Sequence, residues 1–280
     1  MWCPLQRPNG IVRLLLTSRQ YQRISQILCF VSCLLVAGCA GMYPGVFTPV
    51  SDDLRQKILE SLRKKERSIR TLRGLFRASV SGSGIPFSQR FNGMIAYASP
   101  DTVHLRGFLK FGVPMMDFHR KGNDYRLYFP AEKELITGQV AGGSLVTQWD
   151  QTVQLSIRAL DALLGKIEGL SQGEIHVFQG ETHYRLDMTE SHASERVTPE
   201  DYIVQTWIDA QTLEMTSIEY RRAFDEIVIS VECEDYRDVK VAAHSEGGPI
   251  RLPFVVKATD HRSSGGSITL NFQEFVLNAT

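Results

Sequence analysis

"RFNGMIAYASPDTVHLRGFL", residues 90–109, alternates apolar and polar residues on both sides of Ser99-Pro100-Asp101. A period of two marks a half-buried strand, and a Ser-Pro-Asp triplet marks a turn. The stretch therefore reads as two antiparallel strands in tight succession. "GLFRASVSG" before it and "PMMDFHR" and "DYRLYFP" after it repeat the pattern, separated by Gly, Pro, Asn and Asp. No helical pattern lies between them to carry a parallel crossover, so a meander of antiparallel strands is expected.

One helical pattern interrupts the strands. In "VTQWDQTVQLSIRALDALLGKIEG", Val153, Ile157, Leu160 and Leu164 form a stripe at helical spacing, and Gly165 sits where a C-cap glycine ends a helix. Strands then resume with "EIHVFQ", "THYRLDM", "YIVQTWID", "LEMTSIEYRRA", "EIVISVECEDY", "PFVVKAT" and "SITLNFQEF". Ahead of them all, Ser51 is a good N-cap, with Asp52 and Asp53 complementing a helix dipole. Leu54, Ile58, Leu62, Ile69 and Leu72 fall on one face of that helix. Arg63, Lys64, Lys65 and Arg67 fill the other, which reads as a solvated face.

The fold class is mainly β (α+β): a curled antiparallel sheet of roughly a dozen strands, with helices covering its concave side. Even strand spacing and the lack of a long linker make residues 51–280 a single domain. Candidate inward residues are Phe76, Val80, Val103, Leu105, Leu127, Ile229 and Leu270 on strands, faced by Val153, Ile157 and Leu160 on the helix. They fit two arrangements, a solid core or the lining of an apolar space, and the solid core is the simpler.

The chain has 280 residues, 43% hydrophobic and 22% charged, with formal net charge zero. Balanced charge argues against nucleic acid as a partner. The balance is uneven, because Arg7, Arg13, Arg19 and Arg23 stand in the first 39 residues with no acid among them. Removing those four from 31 basic residues leaves 27 against 31 acidic ones, so the remainder sits near −4.

Those arginines precede "ILCFVSCLLVAG", Ile27 to Gly38, an apolar run too short to span a bilayer, which takes about 20 residues. Basic region, apolar run and small residues are the layout of a secretory signal peptide over residues 1–38. A buried N-terminal helix is the bland alternative, and a start codon downstream of Met1 also fits the long basic region. Val36-Ala37-Gly38-Cys39 resembles a bacterial lipobox. That resemblance implies a diacylglycerol on the Cys39 sulfur, cleavage before it and acylation of its new amine, with residues 39–50 as lipidated cysteine and tether. Ala40, where an aspartate signals retention at the inner membrane, then favours the outer membrane of a Gram-negative bacterium, with the domain in the periplasm. A chance cysteine in an apolar helix is the alternative. Four of five cysteines lie at or before this point, and the last, Cys233, reads as a buried strand residue.

Chemistry is sparse. No nucleophile elbow, phosphate loop or paired-cysteine site occurs, and the seven histidines lack metal-ligand spacing. His176 and His183 could approach across a hairpin as a weak ligand pair. The reading is that of a protein without enzymatic activity, cofactor or metal.

The order of elements resembles the LolA/LolB superfamily of lipoprotein carriers and receptors. The resemblance rests on "TLRGLFRASV", on "FNGMIAYASPDTVHLRGFLKFGVPMMDF", on the "DYRLYFPAEKELITGQ" hairpin, on the helix beginning "VTQWDQTV", and on "QTWIDAQTLEMTSIEY" and "LPFVVKAT". It implies an unclosed β-barrel with a helical lid whose cavity receives acyl chains. With a lipobox, the chain is more similar to the membrane-anchored receptor branch, in which a loop projects an apolar residue that inserts cargo into the membrane. The matching stretch is "GFLKFGVP", with Phe108, Leu109 and Phe111 as insertion residues, although Lys110-Phe111-Gly112 replaces the family's Pro-Leu-Gly. Implied partners are membrane lipid, other lipoproteins and a periplasmic carrier, with the protein a monomer. A carrier of glycolipid or another amphiphile, and a structural envelope lipoprotein without a ligand, remain open beside this.

Overall fold

The computed structural model describes residues 47–279, except 83–84, 140–147, 168–169, 171–174, 190–202, 223–225, 240, 242–248 and 263–264. The expected signal peptide, Cys39 and the first part of the tether fall outside them. Residues Val46–Thr280 form one compact unit that contains the described strand pairings and apolar core.

Among the described residues fourteen strands build one sheet, all paired antiparallel. In chain order they are β1 (Thr48–Pro49), β2 (Thr71–Gly82), β3 (Ile85–Ala98), β4 (Thr102–Phe108), β5 (Pro114–Lys121), β6 (Asp124–Phe129) and β7 (Glu134–Gln139). Then follow β8 (Ile175–Gln179), β9 (His183–Thr189), β10 (Ile203–Asp209), β11 (Met215–Arg221), β12 (Ile227–Val239), β13 (Ile250–Asp260) and β14 (Gly266–Leu277). Across the sheet the order is β1-β8-β9-β10-β11-β12-β13-β14-β2-β3-β4-β5-β6-β7. Two meanders, β2–β7 and β8–β14, thus meet side by side at β14–β2. The edge strands β1 and β7 do not pair with each other, so the barrel is unclosed.

The alternation in residues 90–109 folds as read. Phe91, Gly93, Ile95 and Tyr97 turn inward on β3, and Val103 and Leu105 on β4, while Asn92, Met94 and Ala96 face out. The sheet exceeds the expected dozen strands because β7 is separate and because Thr48–Pro49, read as tether, pairs with β8. Phe47 packs edge-on against Trp207, with ring centroids 5.3 Å apart.

Helix α1 (Asp52–Ser68) starts where expected, with the Ser51 hydroxyl accepting from the Leu54 N–H at 3.4 Å. It ends earlier than its apolar spacing suggests. Ile69 is already extended, beside Leu62 and Lys65 of the helix, and Leu72 belongs to β2. Lys65 departs from the solvated face assigned to it: its ammonium lies 5.2 Å from the Tyr236 ring centroid, and burial lowers its pKa.

Helix α2 (Gln148–Leu163) lies in the chain between the edge strand β7 and β8, the neighbour of the other edge strand β1. Its inner face packs on β12, β13 and β14, with Ile157, Leu160 and Leu163 each about 1% exposed. Gly165 (φ +67°) closes it as a C-cap glycine should, its N–H reaching the Ala162 carbonyl at 3.0 Å. Arg120 of β5 donates to both carboxylate oxygens of Asp161 at 3.0 Å, fixing the helix across the inner face.

Candidate functional site

Between α2 and strands β14, β2, β4, β5 and β6 the inner face is hollow. The cavity holds about 370 Å³. Phe76 and Val80 of β2, Leu105 of β4, Leu127 of β6, Leu270 of β14 and the helix residues Val153 and Leu160 line it, all expected from the sequence. Val103, Ile157 and Ile229 are buried but do not border it. Val103 pairs with Tyr97 beside the β3–β4 turn, at the far end of β4 from the mouth. Ile157 and Ile229 lie on elements that pack against one another where α2 fills the face over β12. Each alternative therefore holds in one half of the sheet, solid under α2 and hollow beside it.

Space in the hollow half is made by missing side chains. A Cβ on Gly93 would lie 2.3 Å from Cζ of Phe76, and one on Gly107 would lie 2.7 Å from Cγ of Met116 and 3.1 Å from the Phe91 ring. Gly93 is the direct cross-strand partner of both Phe76 and Gly107. The Phe76 and Phe91 rings thus reach over a glycine row, where they meet edge-on with their planes 74° apart.

Sequence reasoning missed several lining residues: Phe91, Met115, Met116, Phe118 and Phe129. The alternation of β3 and β6 already marked Phe91 and Phe129. Met115 and Met116 are adjacent, and only the register shift at Gly107/Phe108 that skips Met115 lets both reach the site. Polar lining is confined to Gln89, Thr152, Ser156, Glu132 and Glu134. The Ser156 hydroxyl is satisfied by the Thr152 carbonyl at 2.8 Å, so the helix shows the cavity little free polarity.

The mouth opens beside the β4–β5 turn, the stretch expected to insert into membranes. Leu109 and Val113 close that turn, the Leu109 N–H donating to the Val113 carbonyl at 2.9 Å, and both also line the cavity. Phe111 stands at its tip, fully exposed (102%), while Phe108 is only half-buried on the outer face. The Phe111 backbone is left-handed (φ 63°, ψ 20°), followed by Gly112 at φ 75°. An unsupported Phe there costs about 1–2 kcal/mol and gains no packing. Phe111→Gly is therefore expected to raise stability by about 0.5–1 kcal/mol in urea titration, once the entropy glycine adds to the unfolded chain is deducted.

Elsewhere, several groups among the described residues have partners or are buried. Cys233 is fully buried, and burial pushes its thiol up to about 12, so it stays protonated. His104 and Arg106 share Asp117 on the outer face, at 2.8 and 3.0 Å. His176 lies opposite Asp187 and His183 opposite Asp209, so the hairpin does not bring the two histidines together. Among the described residues no three metal-ligating side chains converge, and no helix is long and apolar enough to cross a membrane.

No protein-family model and no curated protein sequence matches the chain. Solved structures do. A LolA superfamily protein from Nitrosomonas europaea superposes with a TM-score of 0.51 at 13% identity, covering 79% of this chain and 94% of its own. An outer membrane lipoprotein-sorting protein domain from Vibrio parahaemolyticus gives 0.50 at 11% identity, covering 80% and 92%. A DUF1329 family protein from Desulfovibrio piger gives 0.54 at 12% identity, covering 81% and 93%. At these identities the likeness is one of fold: the unclosed antiparallel sheet of this chain is similar in fold to that of a LolA superfamily protein.

Proposed function

We propose that this protein is a non-catalytic, lipid-anchored receptor that takes acyl chains of lipoproteins into its cavity and passes them to a membrane. One observation carries the reading: an apolar surface runs from Leu160 and Leu270, through Met116, Val113 and Leu109, to the exposed Phe111. Exposed apolar tips of this kind are unfavourable in water and favourable in lipid. Transfer needs no covalent step. A chain leaving a carrier for the cavity, and the cavity for the bilayer, keeps its methylenes buried throughout, so each step is close to balanced.

The anchor would be diacylglycerol and an N-acyl chain on Cys39, three chains where one holds a protein only marginally. It keeps a monomeric domain at the outer membrane, facing a soluble periplasmic carrier of similar fold. The test is transfer of a fluorescently labelled lipoprotein from such a carrier to phospholipid vesicles bearing the full-length protein. Burying one Phe is worth about 1.5–3 kcal/mol, so Phe111→Glu is expected to slow transfer roughly tenfold or more. Undiminished transfer by the variant would remove Phe111 from the mechanism. No transfer by the parent protein would remove the receptor function.

A further inference from the structure

Resting on the reading that the Phe111 tip enters lipid, we infer that the outer face of the first meander lies on an anionic phospholipid surface. The first observation is charge without a partner. Arg73 and Arg77 of β2, Arg90 of β3 and Arg126 of β6 are exposed on that face, and none forms an ion pair with a described residue. The acids beside them are already engaged. Asp117 is shared by His104 and Arg106, and Asp124 accepts from Gln139 at 3.0 Å. The outer face of the second meander is different, because there Arg185 meets Asp187, Arg221 meets Glu219 and Lys257 meets Glu232.

The second observation is apolar surface set among those arginines. Leu75, Met94 and Val276 are 39%, 42% and 47% exposed. Leu75 is the cross-strand partner of Met94, and Val276 that of Arg73, so the three border one groove over β14, β2 and β3. A contiguous patch of this kind marks a contact surface. Its continuity with the tip points to what it meets. Arg106 stands opposite Met94, and Phe108, two residues further along β4, is half-buried on the same face and leads into Leu109. From Met94 to Phe111 the surface thus passes from mixed arginine and aliphatic to apolar alone. A bilayer changes in the same order, from phosphates to acyl chains. Arginine suits the outer layer, since its guanidinium pairs with phosphate while its stem lies along apolar surface. An acidic protein segment would answer the arginines without accounting for the continuity with the tip.

The test is hydroxyl-radical footprinting, read by mass spectrometry, of the full-length protein reconstituted into phosphatidylcholine vesicles with or without phosphatidylglycerol. Each basic residue near an anionic surface is worth about fivefold in partitioning, so Met94 should oxidise about fivefold or more slowly on the anionic vesicles. Trp207, half-buried on the outer face of the second meander, should keep its rate and serves as the internal control. The variant Arg73→Gln/Arg77→Gln/Arg90→Gln/Arg126→Gln breaks no ion pair, so its thermal midpoint should match that of the parent. Its Met94 should oxidise on anionic vesicles as fast as on neutral ones. Equal Met94 rates on both vesicles for the parent, or protection that survives the four substitutions, overturn the inference. Protection of Met94 without lipid overturns it too, and assigns the face to a protein partner or a second copy. Phe111 is scored in the same spectra. Lipid protection of Phe111 without that of Met94 removes this face and leaves the tip reading standing, whereas protection of neither removes both.

Discussion

Phe272→Ala lowers the unfolding free energy by about 3–5 kcal/mol, the range for emptying a large aromatic site in a packed interior. Phe272 sits on β14 directly opposite Phe76 of β2, where the two meanders meet. Its ring centroid lies 5.7 Å from Phe76 and 4.7 Å from Phe275, which in turn meets Phe254 at 5.0 Å. A bulge between Phe272 and Glu274 makes the cluster possible. It turns Phe275 to the same face as Phe272, over Gly74, where an added Cβ would come within 2.8 Å of the Phe275 ring. Deleting one ring removes contacts from both meanders at their joint. In thermal unfolding the midpoint should fall by roughly 10 °C for a domain of this size. A fall of only a degree or two would mean that the joint relaxes into the gap.

Gly93→Ala is the second large effect, and it acts on stability and binding together. The new methyl would stand 2.3 Å from Phe76 Cζ and 2.8 Å from the Arg106 carbonyl oxygen. Backbone cannot yield at low cost, so the Phe76 ring must tilt away from the sheet and into the cavity. Overpacking of this kind costs about 1–3 kcal/mol, and the displaced ring takes up space equal to several methylenes. Affinity for an alkyl-chain amphiphile should drop by roughly tenfold or more, the loss of two or three buried methylenes. Gly107→Ala is the contrast. Its methyl meets the flexible Met116 first, which can swing aside, so both losses should be smaller. Equal losses in the two variants would contradict a rigid ring and a yielding methionine.

The local pattern carried much of this fold. Alternation around Ser99-Pro100-Asp101 marked the strands, Ser51 and Gly165 marked helix boundaries, and the Phe111 loop was visible as an apolar cluster after a strand. Seven of the ten expected lining residues border the cavity because alternation reports which face a side chain takes. Alternation does not report how far along the sheet the cavity extends. Val103, Ile157 and Ile229 have the correct face and the wrong place, since the extent depends on where α2 lands. Lys65 illustrates a second gap: its charge suggested solvent, whereas its neighbour Tyr236 comes from a distant strand. The paired inward glycines at 93 and 107 were in plain view, but their meaning appears only once Phe76 is known to lie opposite.

The order of strands has a consequence for the time course of folding. β2 finds its second neighbour only in β14, the last of the described strands in chain order, so the joint between the halves is a pairing of extreme sequence separation. Such pairings form slowly, because much chain must be ordered before they are rewarded. Until β14 arrives, the first meander exposes the long apolar-faced edge of β2 as a template for other chains. A growing chain therefore spends most of its synthesis as an unfinished sheet. A chaperone that covers β2 during that interval should raise the yield of folded protein.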